Sequence, residues 1–486
     1  MAKIGVRRET KSPWERRVAV TPQLAAQLVG AGHDVIVERS DLRVFPAADY
    51  EGVGCTLVDT LPACDVVFGV KEIPEDLLQK NTAYLFFAHV IKGQPYNMPM
   101  LRRLLDQGAT LLDYERIADE NGRRLVFFGR FAGLAGMVDT LWALGHRLDH
   151  EGVASPFSAM QPTHAYAGLS EAKAAVRAVG ERIKAEGVPA AVHPLIVGVS
   201  GNGNVAKGVQ EILDCLPCED IAPSDVARIA GDKSVSDRVV YRVTFTEESL
   251  VRPREDGAAF QLQEYYDHPE RYEGDFAQYH PHLSLLLNCI YWAEAYPRLV
   301  KKTDLPNLVR CKVIGDISCD VEGSIECTVK ATEPGEPIYT YDAATDSARM
   351  GVVGEGPVIC AVDILPAELP RDASESFAAT LGQFAEAVAG ADYTGELDAS
   401  GLPGPMARSC VAWRGELTPD YAYIQEHLDK VLCVLCGHGV DSLHHKVELQ
   451  VLATIQRVHP QWVAADGGCK KCIDHYAGLA GDQSIV

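Results

Sequence analysis

Short apolar runs alternate with amphipathic runs through the first part of the chain, from Lys3 to Glu115. The apolar runs predict strands, and the run from Thr21 to Gly32 between the first two predicts a helix. The strand-like runs are KIGV, HDVIVE, DVVFGV, AYLFFA and ATLLDYE. Because strands that alternate with helices are typical of a mostly parallel sheet covered on both faces, the pattern predicts a doubly wound α/β domain at the start of the chain.

A second α/β domain is predicted after a long helix. Apolar residues recur at helical spacing from Gly129 to about His150, which predicts a helix that leaves the first domain. The helix-like run SEAKAAVRAVGERIKAEG then precedes the apolar run PLIVGV, and strand-like runs follow in LVRCKVIGDIS and GPVICAVDIL. The run FAATLGQFAEAVAG predicts a further helix, which we expect to pack back on the first domain.

A glycine-rich turn directly follows the run PLIVGV. It has the form G-x-G-x-x-A, with Gly201, Gly203 and Ala206 at the fixed positions, and Asn204 and Val205 open the helix that follows. The first glycine makes the tight turn, the second lets the backbone approach a pyrophosphate, and the alanine permits close packing of helix on strand. Since a strand precedes the turn and a helix follows it, the motif predicts a dinucleotide site.

The end of the next strand in the chain bears on the choice between NADPH and NADH. Sheets that bind NADH usually carry an acid there, which binds the ribose hydroxyls. The run CEDIAPSDVARI instead has an Ile-Ala-Pro stretch, with Arg228 a little beyond as a candidate cofactor-binding residue. The lack of an acid favours NADPH, and NADH is the alternative if Glu219 or Asp220 serves as the acid.

The composition excludes several classes of partner. The formal net charge is −22, so the chain has no broad basic surface on which a nucleic acid would bind. No run approaches the roughly 20 apolar residues that cross a bilayer, and the start MAKIGVRRETKSP carries charges where a signal peptide has its apolar core. We therefore expect a cytoplasmic protein without nucleic-acid or membrane partners.

Three residues at the ends of predicted strands in the first domain are candidates for chemistry: Arg17, Lys71 and His89. Active sites of doubly wound sheets collect at such strand ends. An arginine binds a carboxylate through two hydrogen bonds, a partly buried lysine has a lowered pKa, and a histidine titrates near neutrality. Together the three predict acid-base chemistry on a substrate that carries carboxylates.

The fourteen cysteines, without a secretory signal, are typical of buried thiols and metal ligands and not of a disulfide framework. Four of them form two CxxC pairs, Cys433 with Cys436 and Cys469 with Cys472. Four thiolates suit a tetrahedral zinc ion, and a site without an open position indicates a structural role. An iron–sulfur centre and unliganded or redox-active thiols are the alternatives.

The patterns together predict an α/β protein with two doubly wound, Rossmann-like domains and a small Cys-rich module. The substrate-binding and catalytic domain is predicted over residues 1–150 and is completed by residues 370–425. The dinucleotide-binding domain is predicted over residues 151–369, and the module over residues 426–486.

Several segments resemble one known family; they are ERRVAVTP, GVKEIPE, FFAHVIKGQPYNMPMLRRLL, LLDYERIADENGRRLVFFGRFAGLAGM, GNGNVAKGVQEIL, YDHPERY, GDISCDVEGSIE and VDILPAELPRDASESF. The resemblance is to the lysine-2-oxoglutarate reductase portion of bifunctional aminoadipate semialdehyde synthases, in the superfamily of alanine and saccharopine dehydrogenases. It covers the chain from its start to about residue 425. It implies NADPH-dependent condensation of L-lysine with 2-oxoglutarate to saccharopine, in lysine degradation, at a cleft between two domains.

The resemblance also implies roles for residues at matching positions. Lys71 and His89 match the family's acid-base pair, and Arg17 matches the arginine that holds a substrate carboxylate. Asp320 matches an aspartate that alanine dehydrogenases place beside the nicotinamide. The other matches are two acids around the pair, an arginine of the substrate-binding stretch and the pyrophosphate loop, namely Glu72, Glu115, Arg130, Gly201, Gly203 and Asn204. A surface salt bridge is the alternative role for the arginine.

Two other functions remain open at this point. One is an NAD-dependent, lysine-forming saccharopine dehydrogenase or a related reductase that acts on another amine. The other is a scaffold without catalysis that docks partners through the cysteine module, although a scaffold has no need for Arg17, Lys71 and His89 together. In the bifunctional enzymes a saccharopine dehydrogenase domain follows the reductase, so we expect that activity in a separate partner protein; a homo-oligomer is the alternative assembly.

Overall fold

A computed structural model of the chain describes residues 1–482. The chain divides into two compact units, of which the first contains Met1–Phe127 and the chain from Ser374 onward, and the second contains Phe128–Ala373. Each unit has one eight-stranded sheet, and helices accompany both sheets. The predicted class of two doubly wound α/β domains is therefore confirmed. None of the helices within residues 1–482 combines the length and the apolar character needed to cross a membrane.

The N-terminal part of the first unit contains six strands and three helices. The strands are β1 (Lys3–Val6), β2 (Asp34–Glu38), β3 (Thr56–Val58), β4 (Val66–Phe68), β5 (Ala83–Phe86) and β6 (Thr110–Asp113). The helices are α1 (Pro22–Gly30), α2 (Ala47–Glu51) and α3 (Met98–Asp106).

The second unit contains ten strands and six helices. The strands are β7 (Ile196–Ser200), β8 (Cys218–Asp220), β9 (Val240–Phe245), β10 (Val251–Pro253), β11 (Tyr272–Gly274), β12 (Leu285–Asn288), β13 (Val313–Asp316), β14 (Ile338–Asp342), β15 (Ser347–Met350) and β16 (Val358–Cys360). The helices are α4 (Gly129–His150), α5 (Leu169–Glu186), α6 (Asn204–Leu213), α7 (Val226–Gly231), α8 (Glu247–Leu250) and α9 (Leu262–Asp267).

Residues 370–482 add short strands and five helices. The strands are β17 (Cys410–Trp413), β18 (Glu416–Leu417), β19 (Val431–Leu432) and β20 (Gly439–Val440). The helices are α10 (Pro370–Gly390), α11 (Gly404–Arg408), α12 (Gln425–Leu428), α13 (Leu449–Val458) and α14 (Lys470–Asp482).

Both large sheets are parallel except at one edge. The first has the order β18-β17-β6-β5-β4-β1-β2-β3, in which β17 runs antiparallel to β6 and β18 antiparallel to β17. The second has the order β15-β14-β16-β13-β12-β7-β9-β8, in which β14 and β15 are the antiparallel strands. In each sheet the winding direction reverses beside the first strand, β1 or β7, and ligands of doubly wound folds bind at such a switch point.

The strand beside β7 is β9, although β8 comes first in the chain. Strand β8 has three residues that are exposed or half-buried, which suits the edge of a sheet. Strand β9, with the sequence VYRVTF, is buried at four of its six positions, which suits a place between two strands. The order of strands in space therefore differs from their order in the sequence at this point.

Helix α4 belongs to the second unit, so that unit begins at Phe128, whereas the sequence analysis placed a boundary at residue 150. The reason is the packing of α4 against α6. A Cβ atom at Gly133 would lie 1.9 Å from the carbonyl oxygen of Val205, and a Cβ atom at Gly208 would lie 2.1 Å from that of Arg130. The two helices thus touch backbone to backbone, a contact that periodicity does not reveal.

We expect Gly208→Ala to lower the free energy of unfolding by about 1–3 kcal/mol because the added methyl group overpacks this contact. Alanine is otherwise favoured over glycine within a helix by about 1 kcal/mol, so the sign of the change reports the contact. Denaturant unfolding measures it. The control is Gly478→Ala in α14, where nothing lies within 4 Å of the added atom. A stabilised Gly208→Ala variant would contradict the close packing.

Candidate functional site

Lys71, Glu72 and His89 come together at the carboxyl ends of β4 and β5. The Nδ1 atom of His89 lies 2.8 Å from Oε1 of Glu72. The Nζ atom of Lys11 donates to the same oxygen at 2.6 Å. Asn97 donates to the carbonyl oxygens of Ala88 and His89 at 3.0 and 3.1 Å, which fixes the backbone on both sides of the imidazole. The structure therefore joins three of the residues predicted for the site.

Glu72 is an ionised carboxylate in a half-buried position. Burial by itself raises the pKa of Glu72, but the hydrogen bonds from His89 and Lys11 outweigh burial and hold that pKa well below its usual range. Its negative charge orients the His89 ring through Nδ1. The backbone of His89 has a φ of 48°, which residues other than glycine rarely adopt, so local strain accompanies this geometry.

The Lys71 ammonium lies beside this carboxylate in a poorly solvated position. Burial lowers the pKa of Lys71, and the positive charge of Arg17 lowers it further; Glu15 and Glu72 oppose the effect only in part. The backbone N–H of Lys71 donates to Glu9 at 3.0 Å and thereby positions the residue. A lysine with a lowered pKa is suited to exchange protons near neutral pH.

Arg17 is buried and paired with Glu15. Its Nε atom donates to Oε1 of Glu15 at 2.8 Å, and its Nη2 atom donates to Oε2 at 2.5 Å. The two side chains are 3% and 2% exposed. Two of the three guanidinium nitrogens are therefore engaged by a carboxylate of the same loop, and the positive charge of Arg17 remains close enough to affect Lys71.

Asp113 ends β6, the strand beside β5, and Glu115 follows it. Asp113 is fully buried, and burial raises its pKa to about 7. Its Oδ1 atom accepts the backbone N–H of Glu115 at 2.8 Å, whereas its Oδ2 atom has no hydrogen-bond partner in the described part of the chain. This geometry places a carboxyl group that titrates near neutrality one strand away from His89.

Helix α10 completes the wall of this site. The ring of Phe87 stacks near His89, with 6.2 Å between the ring centres. Phe377 of α10 lies 6.0 Å from the Phe87 ring and 5.0 Å from the Tyr114 ring. The predicted return of this helix to the first domain is consistent with these contacts, which keep water from one side of the imidazole.

The glycine-rich turn of the second unit has a geometry suited to a dinucleotide. Gly201 has a φ of 88°, its N–H donates to the carbonyl oxygen of Phe245 at 2.7 Å, and a Cβ atom there would lie 3.0 Å from Ile290. Gly203 precedes the first turn of α6, which Asn204 and Val205 open, and open space surrounds it. A cavity of about 420 Å³ lies against Gly201 and Gly203. Free backbone approach and an adjoining cavity fit a pyrophosphate with a nucleoside beside it.

A buried polar ladder crosses the carboxyl ends of β7, β12 and β13. Ser200 lies 3.1 Å from the Asn288 amide oxygen, and the Asn288 amide nitrogen donates to Asp316 at 2.8 Å. The Thr328 hydroxyl donates to the other Asp316 oxygen at 2.6 Å. Burial raises the pKa of Asp316 to about 6. Asp320, which the sequence analysis named as a candidate, is exposed in the loop that follows β13.

The two other arginines named from the sequence form ion pairs in the second unit. Arg130 donates to Glu211 at 2.8 and 2.7 Å, and Lys173 donates to the same carboxylate at 2.5 Å. Arg228 lies on α7, beyond the edge strand β8, and donates to Asp225 at 2.9 Å. Neither arginine lines the cavity beside Gly201 within the described chain.

The four cysteines of the two CxxC pairs converge in the C-terminal module. Their sulfur atoms all lie within 4.8 Å of one another, with Cys433 4.0 Å from Cys472 and Cys436 3.8 Å from Cys469. The backbone N–H of Cys469 donates to the Cys433 sulfur at 3.1 Å. Four thiolates around a tetrahedral zinc ion, each at about 2.3 Å, are about 3.8 Å apart, so the donor set fits such an ion.

Sequence reasoning missed residues that act through contacts. Lys11, Asn97 and Glu9 support the acid-base cluster, and no spacing connects them to it. The ladder at the ends of β7, β12 and β13 did leave a signal, because each of the apolar runs IVGVS, LLLN and VIGD ends in a polar residue. A polar residue at the end of a buried parallel strand is typical of a ligand-facing edge.

Comparisons with known proteins agree with this fold. The family model "Alanine dehydrogenase/PNT, N-terminal domain" matches residues 5–135. The chain is 36% identical over 441 residues to the alpha-aminoadipic semialdehyde synthase of Arabidopsis thaliana, across 87% of this chain and 41% of the relative. The mitochondrial form from Rattus norvegicus is 32% identical, across 87% of this chain and 47% of the relative. The chain thus spans less than half the length of these relatives, and the predicted cytoplasmic location stays a prediction.

A third relative is matched over most of its own length. The saccharopine dehydrogenase [NAD(+), L-lysine-forming] of Neurospora crassa is 30% identical over 391 residues, across 76% of this chain and 87% of the relative. Among solved structures, an L-alanine dehydrogenase has a TM-score of 0.56 at 18% identity and covers 88% of this chain and 99% of its own. A transhydrogenase from Sinorhizobium meliloti has a TM-score of 0.50 at 15% identity, across 86% of this chain and 100% of its own. These two structures support the fold alone.

The raised pKa of Asp113 predicts a pH-dependent stability difference between the wild type and Asp113→Asn. Between the unfolded pKa of 3.8 and the folded pKa of about 7, the folded wild type retains a proton that the unfolded chain loses, so its stability falls as pH rises. The asparagine side chain of the variant does not titrate, so it adds no such dependence of stability on pH. As the pH rises from about 5 to about 8, the free energy of unfolding of the wild type should therefore fall by about 2–3 kcal/mol relative to that of the variant.

Denaturant unfolding at several pH values measures this difference. Asp119→Asn is the control because the pKa of the half-buried Asp119 is lowered by backbone hydrogen bonds, so its carboxyl group is ionised in both the folded and the unfolded state throughout this pH range. If the difference in free energy of unfolding between Asp113→Asn and the wild type is the same at every pH, the pKa of Asp113 is not raised and the prediction is wrong.

Proposed function

Because the chain belongs to the family of lysine-forming saccharopine dehydrogenases, we propose that it is an oxidoreductase acting on carbon–nitrogen bonds and is a lysine-2-oxoglutarate reductase. In this proposal it condenses the ε-amine of L-lysine with the 2-oxo carbon of 2-oxoglutarate and reduces the resulting imine to saccharopine. The name of the Neurospora crassa relative supports saccharopine and lysine as the reacting compounds.

The observation that carries the proposal is the cluster of Lys71, Glu72 and His89 at one sheet edge. Reductive amination needs a base that removes a proton from an alkyl ammonium and an acid that donates a proton to a departing hydroxyl group. The cluster contains a lysine with a lowered pKa and an imidazole bonded to an ionised carboxylate. A binding scaffold has no use for such a pair, because both groups cost free energy to hold in place.

Lys71 serves as the base in the first step. Burial and the nearby Arg17 charge favour its neutral amine, which accepts a proton from the ε-ammonium of the substrate. The neutral substrate amine then attacks the 2-oxo carbon and forms a carbinolamine. Nε and Nη2 of Arg17 already donate to Glu15. We therefore propose that Arg17 acts through its positive charge and does not bind a substrate carboxylate through two hydrogen bonds.

His89 serves as the acid in the second step. Glu72 holds the ring through Nδ1, so Nε2 is the nitrogen that donates a proton to the carbinolamine hydroxyl. Water leaves and the carbon–nitrogen double bond forms. Glu72 stays ionised and stabilises the protonated ring before this transfer.

Other residues would bind the substrate and the dinucleotide. We propose that Glu115 lies next to the substrate and that the Arg130 charge attracts its carboxylates, although Arg130 is paired with Glu211. Gly201, Gly203, Asn204 and Val205 would hold the pyrophosphate of a nicotinamide dinucleotide, and Asp320 would lie beside its ring. When bound, the reduced nicotinamide supplies the hydride that converts the imine to a secondary amine. The buried ladder of Ser200, Asn288 and Asp316 keeps the strand ends beneath that loop in register.

A second candidate is the same reaction in the opposite direction, the oxidation of saccharopine to lysine and 2-oxoglutarate with NAD⁺. The Neurospora crassa relative favours it because that match extends over 87% of the relative. The two candidates use the same residues, and Lys71 and His89 exchange the roles of acid and base. A separate saccharopine dehydrogenase is the proposed partner in the first case only.

We further propose that Cys433, Cys436, Cys469 and Cys472 hold one structural zinc ion. Their sulfur spacing matches tetrahedral coordination, and all four positions are filled by thiolates, so the ion would stabilise the module and take no part in the reaction.

Replacing either member of the acid-base pair should reduce turnover and spare dinucleotide binding. We expect Lys71→Met and His89→Asn each to lower kcat by about 10²–10⁴-fold, since positioned proton transfer contributes this much. Asparagine tolerates the left-handed backbone of His89, so the second variant should fold. Turnover is measured as dinucleotide oxidation with lysine and 2-oxoglutarate, and Kd by fluorescence titration of the dinucleotide alone.

Lys80→Met is the matched control, because Lys80 is an exposed lysine just before β5. It should leave both kcat and Kd unchanged. Equal losses of kcat and of dinucleotide affinity in the Lys71 and His89 variants would contradict the assigned roles. The same assay with ornithine in place of lysine tests the choice of amine.

Zinc binding is tested by elemental analysis of the purified protein, which should give one zinc ion per chain. Cys469→Ser should abolish the zinc and lower the melting temperature of the module because three ligands hold a structural ion much less firmly. The control Cys55→Ser replaces a buried cysteine outside the cluster and should keep the zinc. Iron in place of zinc, or no metal in the wild type, would overturn this assignment.

A further inference from the structure

The cavity beside the glycine-rich turn has one charged wall. It lies at the carboxyl ends of β7 and β9 and is lined by Gly201, Gly203, Glu247, Tyr265 and Tyr266, among others. The tyrosine rings and Leu250 supply flat and apolar surface, which suits a purine base. Glu247 is the one charged side chain along this wall in residues 1–482, and no lysine or arginine lines it there.

The strand order places Glu247 where a ribose-binding acid belongs. In doubly wound sheets this acid follows the strand that lies beside the one leading into the glycine-rich turn. That strand is β9 in space, and its residues pair with those of β7 up to Ser200 and Phe245. The N–H of Gly201 donates to the Phe245 carbonyl oxygen at 2.7 Å, so the turn and the end of β9 are in direct contact. Glu247 comes two residues after this contact.

A hydrogen bond holds the Glu247 side chain at the cavity wall. Its Oε1 atom accepts the hydroxyl hydrogen of Tyr266 at 2.8 Å. Burial raises the pKa of Tyr266 to about 12, and the hydrogen bond to the Glu247 carboxylate adds to the effect. A carboxylate has two oxygens, so one remains to accept a ribose hydroxyl while Tyr266 fixes the other.

We infer that Glu247 is the residue that selects the dinucleotide, and that the cavity takes the adenosine half of NAD(H) in preference to NADP(H). The inference rests on the proposed function only in that the site binds a nicotinamide dinucleotide. A 2′-hydroxyl donates to the carboxylate, whereas a 2′-phosphate brings two negative charges to it with no basic residue in the lining to offset them. The sequence analysis favoured NADPH because it took β8 as the strand beside β7. Strand β8 lies at the edge of the sheet, and β9 separates it from β7.

Equilibrium titration of the full chain with NADH and with NADPH, in the absence of lysine and 2-oxoglutarate, tests the inference. We expect the wild type to bind NADH at least about tenfold more tightly, the size of effect that one charge-assisted hydrogen bond gives. Glu247→Gln should weaken NADH binding by about tenfold and should strengthen NADPH binding, so the ratio approaches one. Added salt should reduce the wild-type ratio of the Kd for NADPH to the Kd for NADH, because salt screens the repulsion between the 2′-phosphate and Glu247.

Glu248→Gln is the matched control, since it removes the same charge from the exposed neighbouring residue, which does not line the cavity. It should leave both Kd values unchanged. NADPH binding as tight as or tighter than NADH binding in the wild type, the same shift in both variants, or no binding of either dinucleotide would each overturn the inference. If NADH binds with the expected preference but lysine and 2-oxoglutarate are not converted, the proposed function fails and the assignment of Glu247 stands.

Discussion

Parallel strands end at the same edge of a sheet, and this constraint produces both candidate sites. In the first unit it brings the residues after β4, β5 and β6 to one edge, so Lys71, His89 and Glu115 share that edge although the chain separates them by up to 44 positions. In the second unit it aligns Ser200, Asn288 and Asp316 in one row. The polar groups at such an edge lie beneath the loops and must satisfy one another, because an unpaired buried polar group costs about 1–3 kcal/mol.

The charge balance of the first unit follows from that requirement. The Glu72 carboxylate accepts bonds from His89 and Lys11, and these bonds keep it ionised in spite of burial. One strand away Asp113 has no cation bonded to it within residues 1–482, and burial raises its pKa to about 7. The pKa values of two carboxyl groups on one sheet edge thus shift in opposite directions, because cationic partners outweigh burial at Glu72 and burial dominates at Asp113. Sites that move protons depend on such a separation of pKa values.

The second unit shows how strand order controls chemistry. A three-residue strand with little buried surface takes the edge, and the longer buried strand that follows in the chain takes the place beside β7. This exchange moves the end of β9 next to the glycine-rich turn and carries Glu247 with it. The side chain nearest the proposed ribose site is therefore decided by sheet packing and not by distance along the chain.

The local patterns of the sequence were sufficient for the fold class and for several site residues. Apolar runs at strand length, helical spacing from Gly129 to His150, the G-x-G-x-x-A turn and the two CxxC pairs are all short-range features, and each appears in the structure as an element or a cluster. Lys71 and His89 were identifiable because a strand end is visible in the sequence itself.

Only the tertiary structure decided the partners of these residues. The bonds of Lys11 to Glu72 and of Arg17 to Glu15, the assignment of α4 to the second unit and the place of β9 beside β7 have no local signature. Each depends on which surfaces bury one another, and burial is a property of the whole packed chain. Periodicity reports what a segment prefers, whereas pairing is settled by the free energy of packing that segment against all the others.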